Sequence, residues 1–342
     1  MKQTKLKRPI RPPVFLVLLC GVAGIVALVS ISIGRYEVPP QAVAGILFSQ
    51  IFPSHQSWPS IMQTVVIDVR LPRIIAAILV GAGLSISGAA FQGIFRNPLV
   101  SPYILGVSSG AGFGAALGIM LSLNVFMVQI MAFSCGLAAV GLAVWLSSMY
   151  KRPSEIVMVL AGMIVGAFFS SLISFIKYIA DPYEALPAIV FWLMGSFASV
   201  RMQDLVLLAP IILIGSAVLL LLRWKINILS LGDEEAEVLG VDSNKIKGII
   251  IVCVTFISGA AVSLCGIVGW VGLVIPHVAR MFVGPDHRWV LPVSLVIGAI
   301  YLLLIDDIAR TLTSTEIPLG ILTGMIGAPF FGYLLTRKDV GW

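Results

Sequence analysis

Charged side chains are scarce in this sequence. Only 11% of its 342 residues are Asp, Glu, Lys or Arg, whereas 59% are hydrophobic. An ordinary soluble domain carries about 25% charged residues, so this chain has too few charges to cover a water-exposed surface of its size. The shortage excludes a soluble globular protein and predicts a membrane protein.

The long apolar runs also lack the alternation of polar and apolar residues that marks the strands of a membrane barrel. They extend across residues 14–33, 205–222 and 247–264, among others, and each is near the roughly 20 residues that cross a hydrocarbon core. Backbone groups in lipid must find their partners within a helix. We therefore predict an all-α membrane protein with about ten transmembrane helices, centred near residues 24, 80, 112, 137, 165, 213, 256, 274, 299 and 327.

Cysteine and histidine are rare as well. The four cysteines lie singly in apolar runs, without a C-x-x-C spacing, and we predict no disulfide and no metal site. His277 and His287 are expected to have structural roles, because only Asp286 lies close to them as a further ligand type. The chain also has no G-x-x-x-x-G-K-[ST] phosphate loop. It is therefore not expected to bind or hydrolyse ATP, or to be an enzyme.

The basic residues are distributed unevenly if ten spans alternate across the membrane. With the N-terminus inside, the outer side receives six of the 22 Lys and Arg residues: Arg35, Arg70, Arg73, Lys177, Arg201 and Arg310. The positive-inside rule then places both termini in the cytoplasm. Residues 1–13 are expected to be a cytoplasmic tail before a retained signal-anchor, the alternative being a cleaved signal peptide. No basic domain lies outside the membrane, so no nucleic-acid partner is expected.

One acidic segment, "LGDEEAEVLGV" at residues 231–241, lies in the longest inward polar stretch, residues 223–247. Gly232 before three carboxylates and Gly240 after Leu239 predict a helix of about two turns with a glycine stop. Val238 and Leu239 would leave apolar surface on this helix, which a protein partner would explain. The alternative is a solvated acidic loop.

Small residues are concentrated between Gly81 and Gly93, and they predict close helix packing there. The pentapeptide "ISGAA" occurs at residues 86–90 and again at 257–261. An inverted repeat and chance are both possible origins of this similarity. No part of the chain is polar enough to form a separate soluble domain, so residues 1–342 are expected to form one transmembrane domain.

Four separated stretches resemble one known family. They are "RLPRIIAAILVGAGLSISGAAFQGIFRNPLVSPYILGVSSGAG" (70–112), the acidic segment, "GWVGLVIPHVARMFVGPDHRWVLP" (269–292) and "DDIARTLTSTEIPLGILTGMIGAPFF" (306–331). Together they resemble the FecCD-type permeases, the membrane subunits of bacterial ATP-driven importers for iron-siderophores, haem and vitamin B12. The resemblance covers nearly the whole chain after the first span.

The resemblance implies a type II ABC importer permease in the bacterial cytoplasmic membrane. Its expected partners are a second permease subunit, identical or sister, two cytoplasmic ATPase subunits that carry ATP and magnesium, and an external binding protein. The expected substrate is a metal chelate, a ferric siderophore, with haem or vitamin B12 as alternatives. The alternative from another class is an ion-coupled secondary transporter that works alone.

The resemblance also assigns candidate site residues. The ATPase-coupling residues are Leu231, Gly232, Asp233, Glu234, Glu235, Glu237, Leu239 and Gly240. The residues that dock the binding protein are Arg70, Arg73 and Arg310. The alternative is that each arginine only anchors a helix end. Asp306 is spaced for an i,i+4 ion pair with Arg310 at the rim of the bundle. The pathway and gate residues are Ser154, Glu155, Gly162, Gly166, Ser170 and Ser174.

Overall fold

The computed structural model describes residues 11–50, 52, 58–150 and 155–336, and every regular element within them is a helix. Seven helical runs are long and apolar enough to cross a membrane. They contain α1 (Pro12–Ser32), α4 (Leu71–Ile94), α6 (Val125–Ser148), α7 (Glu155–Ile179), α9 (Met202–Leu221), α12 (Ser243–Cys265) and α14 (His287–Thr311). The shorter helices are α2 (Pro40–Ser49), α3 (Ser60–Thr64), α5 (Val107–Met120), α8 (Ala185–Met194), α10 (Arg223–Leu229), α11 (Asp233–Val238), α13 (Val271–Val283) and α15 (Leu319–Thr336).

The all-α membrane fold is confirmed. All ten predicted centres fall inside a helix, seven in the long runs and three in the shorter α5, α13 and α15. The helices α2 and α8 were not predicted, because ten residues are too few to produce the signal of a span. A π-helical turn, Val65–Arg70, joins α3 to α4, so this run begins well before its apolar centre.

The helix α4 lies at the centre of the bundle, where it packs against α14, α12, α13 and α9. Its small residues make this possible. A β-carbon on Gly81 would overlap the carbonyl oxygen of Gly298, and one on Gly88 would overlap that of Gly272. The predicted close packing is confirmed. Both "ISGAA" segments are buried, which explains their small residues without an inverted repeat, and the repeat stays a hypothesis.

The long apolar run around Cys265 is interrupted between two helices, in agreement with the two predicted centres near residues 256 and 274. The helix α12 ends at Cys265, and Gly266 follows with a φ of +74°, a conformation that favours glycine. Trp270 then adopts a left-handed φ of 69° directly before α13. Its side chain packs over Gly327 of α15, where a β-carbon would lie 2.6 Å from that of Trp270.

Candidate functional site

The acidic segment forms a fixed short helix. The helix α11 ends in a Schellman motif, in which Val241 N–H donates to the oxygen of Ala236 (2.8 Å) and Gly240 N–H donates to the oxygen of Glu237 (2.9 Å). Gly240 has the expected left-handed φ of +78°. Ala236 and Val241 are buried in the core of the bundle, so the segment is a packed helix and differs from the solvated loop considered as the alternative.

The solvent-exposed face of α11 carries both acidic and apolar side chains. Three carboxylates on it are exposed, those of Glu234, Glu235 and Glu237. Val238 and Leu239 next to them are 88% and 56% exposed. Gly232 precedes the helix with a φ of +149°, and the carboxylate of Glu235 folds over it, so a side chain at Gly232 would collide with this group. The coupling role of this face stays a prediction.

An ionic network joins α11 to the start of α7. The Nζ atom of Lys247 lies 2.7 Å from Asp233 Oδ1 and 2.7 Å from Glu155 Oε1. Arg96, which follows α4, places its Nη2 atom 3.1 Å from the same Glu155 oxygen. The structure thus joins Glu155 of the predicted gate and Asp233 of the predicted coupling set through one shared ammonium group. Sequence analysis missed Lys247 and Arg96 as site residues.

The candidate glycines and serines of the predicted pathway helix α7 recur at every fourth residue, and their exposure rises from Gly162 to Ser174. Gly162 packs against the backbone of Ile104, where a β-carbon would overlap the carbonyl oxygen, and Gly166 approaches Gly106. Ser170 and Ser174 are exposed. The Ser174 hydroxyl donates to the Ser170 oxygen at 3.0 Å. Packing thus accounts for Gly162, the role of the serines stays a prediction, and Ser154 lies outside the described residues.

The predicted docking arginines lie together at the opposite end of α4, but they are buried. Arg70 is 3% exposed and donates from Nη1 to the oxygens of Ile31 (2.7 Å) and Ser32 (3.1 Å), and from Nη2 to that of Tyr36. These carbonyls belong to the C-terminal end of α1 and the residues after it. Arg70 therefore caps α1.

Arg73 and Arg310 pair with carboxylates inside the chain. Arg73 contacts Asp306 at 2.8 Å and Glu316 at 2.6 Å, and Asp306 has no exposed surface. Arg310 pairs with Asp307 and donates to the Ser30 oxygen at 2.7 Å. The expected pair between Asp306 and Arg310 is stretched to 3.9 Å, because Asp306 faces Arg73.

The end of α14 is more enclosed than the sequence indicates. Asp306 and Arg310 lie in the last two turns of α14, at the end of the helix as expected, but their side chains are buried because α1 and α4 cover them. The guanidinium groups of Arg70, Arg73 and Arg310 are occupied by internal partners. Their docking role stays a prediction, and in this structure they form no open positive patch.

The histidines lie at helix contacts. His277 is buried, its Nε2 lies 3.2 Å from the Pro98 oxygen, and its ring packs edge-on against Phe331. His287 is buried at the start of α14, where its backbone N–H donates to Asn227 Oδ1 at 2.9 Å. Among the residues that the structure describes, no group of three or more His, Cys, Asp or Glu side chains could hold a metal ion.

Comparisons with known proteins agree on the class of this chain. A family model described as "FecCD transport family" matches residues 22–337. The chain is 41% identical over 317 residues to a molybdate import system permease protein of Haemophilus influenzae, covering 93% of this chain and 94% of that one. It is 42% identical over 283 residues to a probable iron chelatin transport system permease protein of Helicobacter pylori, covering 83% and 86%.

A solved structure also resembles this fold. It is described as an inward-facing conformation of a putative metal-chelate type ABC transporter, and it superposes with a TM-score of 0.84 at 40% sequence identity. The match covers 94% of this chain and 99% of that one.

Proposed function

The chain belongs to the FecCD transport family, and on that premise we propose that it carries a ferric siderophore inward across the bacterial cytoplasmic membrane as part of an ATP-driven importer. It is a multi-pass ABC transporter permease of the metal-chelate type, a transport subunit without catalytic activity of its own. The identity of the chelate, the energy source and the partner subunits belong to the proposal.

The exposed face of α11 is the observation that carries the proposed link to an ATPase. Buried Ala236 and Val241 hold the helix in place, while Glu234, Glu237 and Val238 face outward. A rigid helix with charge and apolar surface together suits insertion into a cleft of a protein partner. Because the chain has no phosphate loop, ATP and magnesium would bind to that partner.

The second permease subunit is supported by the surface of α7. Met163, Ile164 and Phe168 are each more than half exposed, and the serines lie on the same lightly packed helix. A pathway between two such helices would present apolar groups and hydroxyls to a bulky chelate. The complete importer would contain two permease subunits, two ATPase subunits and an external binding protein.

Molybdate is a second candidate substrate. The observation in its favour is the relative named as a molybdate permease, which matches 93% of this chain. A stand-alone ion-coupled transporter is disfavoured by the pairing of Asp306 and Asp307 with arginines, because a proton-carrying site needs a carboxylate that is free to bind a proton.

The test is uptake by proteoliposomes that contain this chain with its ATPase subunit and binding protein. Radioactive iron bound to a hydroxamate or catecholate siderophore and radioactive molybdate are supplied separately, with ATP or with a non-hydrolysable analogue inside. We expect iron uptake that needs ATP and the binding protein. ATP-dependent uptake of molybdate alone would transfer the assignment to the second substrate. Uptake driven by an ion gradient without the ATPase would contradict the proposal.

A further inference from the structure

Lys247 occupies the junction between two helices that the proposed function gives different tasks. Its Nζ atom lies 2.7 Å from both Asp233 Oδ1 and Glu155 Oε1. Asp233 is the first residue of α11, and Glu155 is the first residue of α7. One ammonium group therefore joins the first turn of the acidic helix to the first turn of the helix with the exposed serines.

Arg96 extends this junction to the end of α4. Its Nη2 atom lies 3.1 and 3.2 Å from the two oxygens of Glu155. The backbone of Arg96 has a left-handed φ of 49°, which non-glycine residues adopt only where the surrounding structure holds them. Glu155 thus lies between two cations, one at the end of the central helix and one on α12.

Lys247 is the cation that joins the two carboxylates of this network. Arg96, Glu155, Lys247 and Asp233 alternate in sign along the chain of contacts. The Lys247 side chain is 17% exposed, so water screens its two contacts less than it screens a fully exposed pair. Without the ammonium group, the Asp233 and Glu155 carboxylates would face each other and repel.

The helix α7 is less buried inside the chain than the central helix α4. In the most apolar 18-residue stretch of α7, only 22% of the residues are buried inside the chain, compared with 83% in the corresponding stretch of the run that contains α4. Within this chain α7 is therefore less enclosed than α4, so the chain's own packing constrains α7 less. Lys247 supplies a direct polar contact through which movement of α11 could displace the first turn of α7.

We propose that Lys247 is a positioning residue that transmits movement of α11 to α7, so that events in the ATPase alter the pathway. The inference rests on the proposed function, because it assumes that α11 meets an ATPase. It assigns a role to a residue on a third helix, α12, which would touch neither the ATPase nor the substrate. A static brace between α11 and α7 would be the competing role.

The experiment uses the importer reconstituted with its ATPase and binding protein. Lys247→Met removes the charge and keeps the length of the side chain. Lys245→Met is the matched control, since Lys245 is exposed on the same turn and forms no ion pair among the described residues. ATP hydrolysis and substrate uptake are measured in the same vesicles, together with recovery of the ATPase and the melting temperature of the purified complex.

For Lys247→Met we expect uptake per ATP to fall at least about fivefold, the lower range of measured coupling between sites, while ATPase recovery and melting temperature stay unchanged. Lys245→Met should match the parent in all four measurements. Lys247→Arg, which can contact both carboxylates, should restore most of the uptake per ATP. Lys247→Gln is the second variant if Lys247→Met gives no folded protein, and it carries the same expectation.

A double variant tests the path through Glu155. If Lys247 acts through this carboxylate, Lys247→Met combined with Glu155→Gln should transport no worse than Lys247→Met alone. Unchanged uptake per ATP in Lys247→Met would overturn the inference. A lower melting temperature or loss of the ATPase in both Lys247→Met and Lys247→Gln would also overturn it, because these results indicate a brace. Failure of the proposed function is distinguishable, because then the unmodified importer would show no ATP-dependent uptake.

Discussion

Gly88 of α4 lies directly against Gly272 of α13, so close that a β-carbon on Gly88 would overlap the carbonyl oxygen of Gly272. The obstacle is backbone, which cannot rotate away as a flexible side chain could. The two helices can keep their present separation only while residue 88 has no side chain. This contact connects the central helix to the helix that follows the break after Cys265.

Gly88→Ala should therefore destabilise the protein by roughly 1–3 kcal/mol, the usual cost of overpacking, and Gly88→Leu by more. The measurement is the melting temperature of the purified permease in detergent. Gly141→Ala on α6 is the control, because a β-carbon there would meet nothing within 4 Å. It should be neutral or slightly stabilising. Equal melting temperatures for Gly88→Ala and Gly141→Ala would show that α4 and α13 can separate at little cost.

Reversing two charges on α11 should weaken attachment of the ATPase. Glu234→Lys combined with Glu237→Lys changes two exposed side chains and leaves buried Ala236 in place. Charge reversal replaces attraction by repulsion at a complementary interface. We therefore expect recovery of the ATPase in a detergent pull-down to fall at least tenfold, which corresponds to about 1.4 kcal/mol of binding free energy. Glu37→Lys is the control, because Glu37 is exposed at the opposite end of the helix bundle from α11. Undiminished recovery with the double variant would remove α11 from the interface.

Removing Arg73 should destabilise the fold strongly. Arg73→Met would leave Asp306, which has no exposed surface, without its closest cation. Breaking a buried ion pair from one side costs about 3–5 kcal/mol. The yield and melting temperature should fall, and adding Asp306→Asn should recover part of the loss, because the unpaired charge is then gone. If the double variant melts no higher than Arg73→Met, the pair is not the origin of the effect.

Asp286 should give α14 a pH-dependent cap. Its side chain accepts a hydrogen bond from the backbone N–H of Arg288 at 2.9 Å, and it lies before the first residue of the helix. The pKa of Asp286 is lowered, first by hydrogen bonding from the Arg288 side chain. A lowered folded-state pKa means that this stabilisation is present above the ordinary carboxyl pKa and is lost as the pH falls through the lowered value.

Asp286→Ala should then cost roughly 1 kcal/mol near neutral pH, as for other N-caps. Melting temperatures of parent and variant are compared from neutral pH downward. The difference should shrink as the medium becomes more acidic than the ordinary aspartate pKa of 3.8. Asp286→Asn keeps a capping oxygen and should show a smaller loss at neutral pH. A constant difference across the range would show that the charge of Asp286 contributes nothing.

The spans and the acidic helix could be predicted because both depend on local pattern. Apolar runs give a signal over about 20 residues, and Gly232 and Gly240 delimit α11 by their backbone freedom. The arginine cluster could not be predicted in the same way. Arg73 is conspicuous in the sequence because it lies on the side of the membrane with few basic residues. Its partner Asp306, however, is 233 positions away. Nothing local distinguishes an exposed arginine from one enclosed by distant helices.

The ionic network at α11 shows the same limit on a smaller scale. From the sequence, Lys247 is only one positive charge among many on the inner side. Its contact with Asp233 spans 14 positions and that with Glu155 spans 92. The network depends on how α7, α11 and α12 pack together, which periodicity and composition do not encode.

The hydrogen bond from Ser30 to Asp307 joins residues 277 positions apart, so the ribosome makes α1 long before α14. During synthesis α1 can remain alone in lipid, because its surface is almost entirely apolar. The last two turns of α14 differ, because Asp306, Asp307 and Arg310 carry charges that need partners when they leave water. When that segment emerges, Arg73 and Ser30 are already in the membrane to receive it. The order of synthesis thus provides acceptors before the helix that needs them.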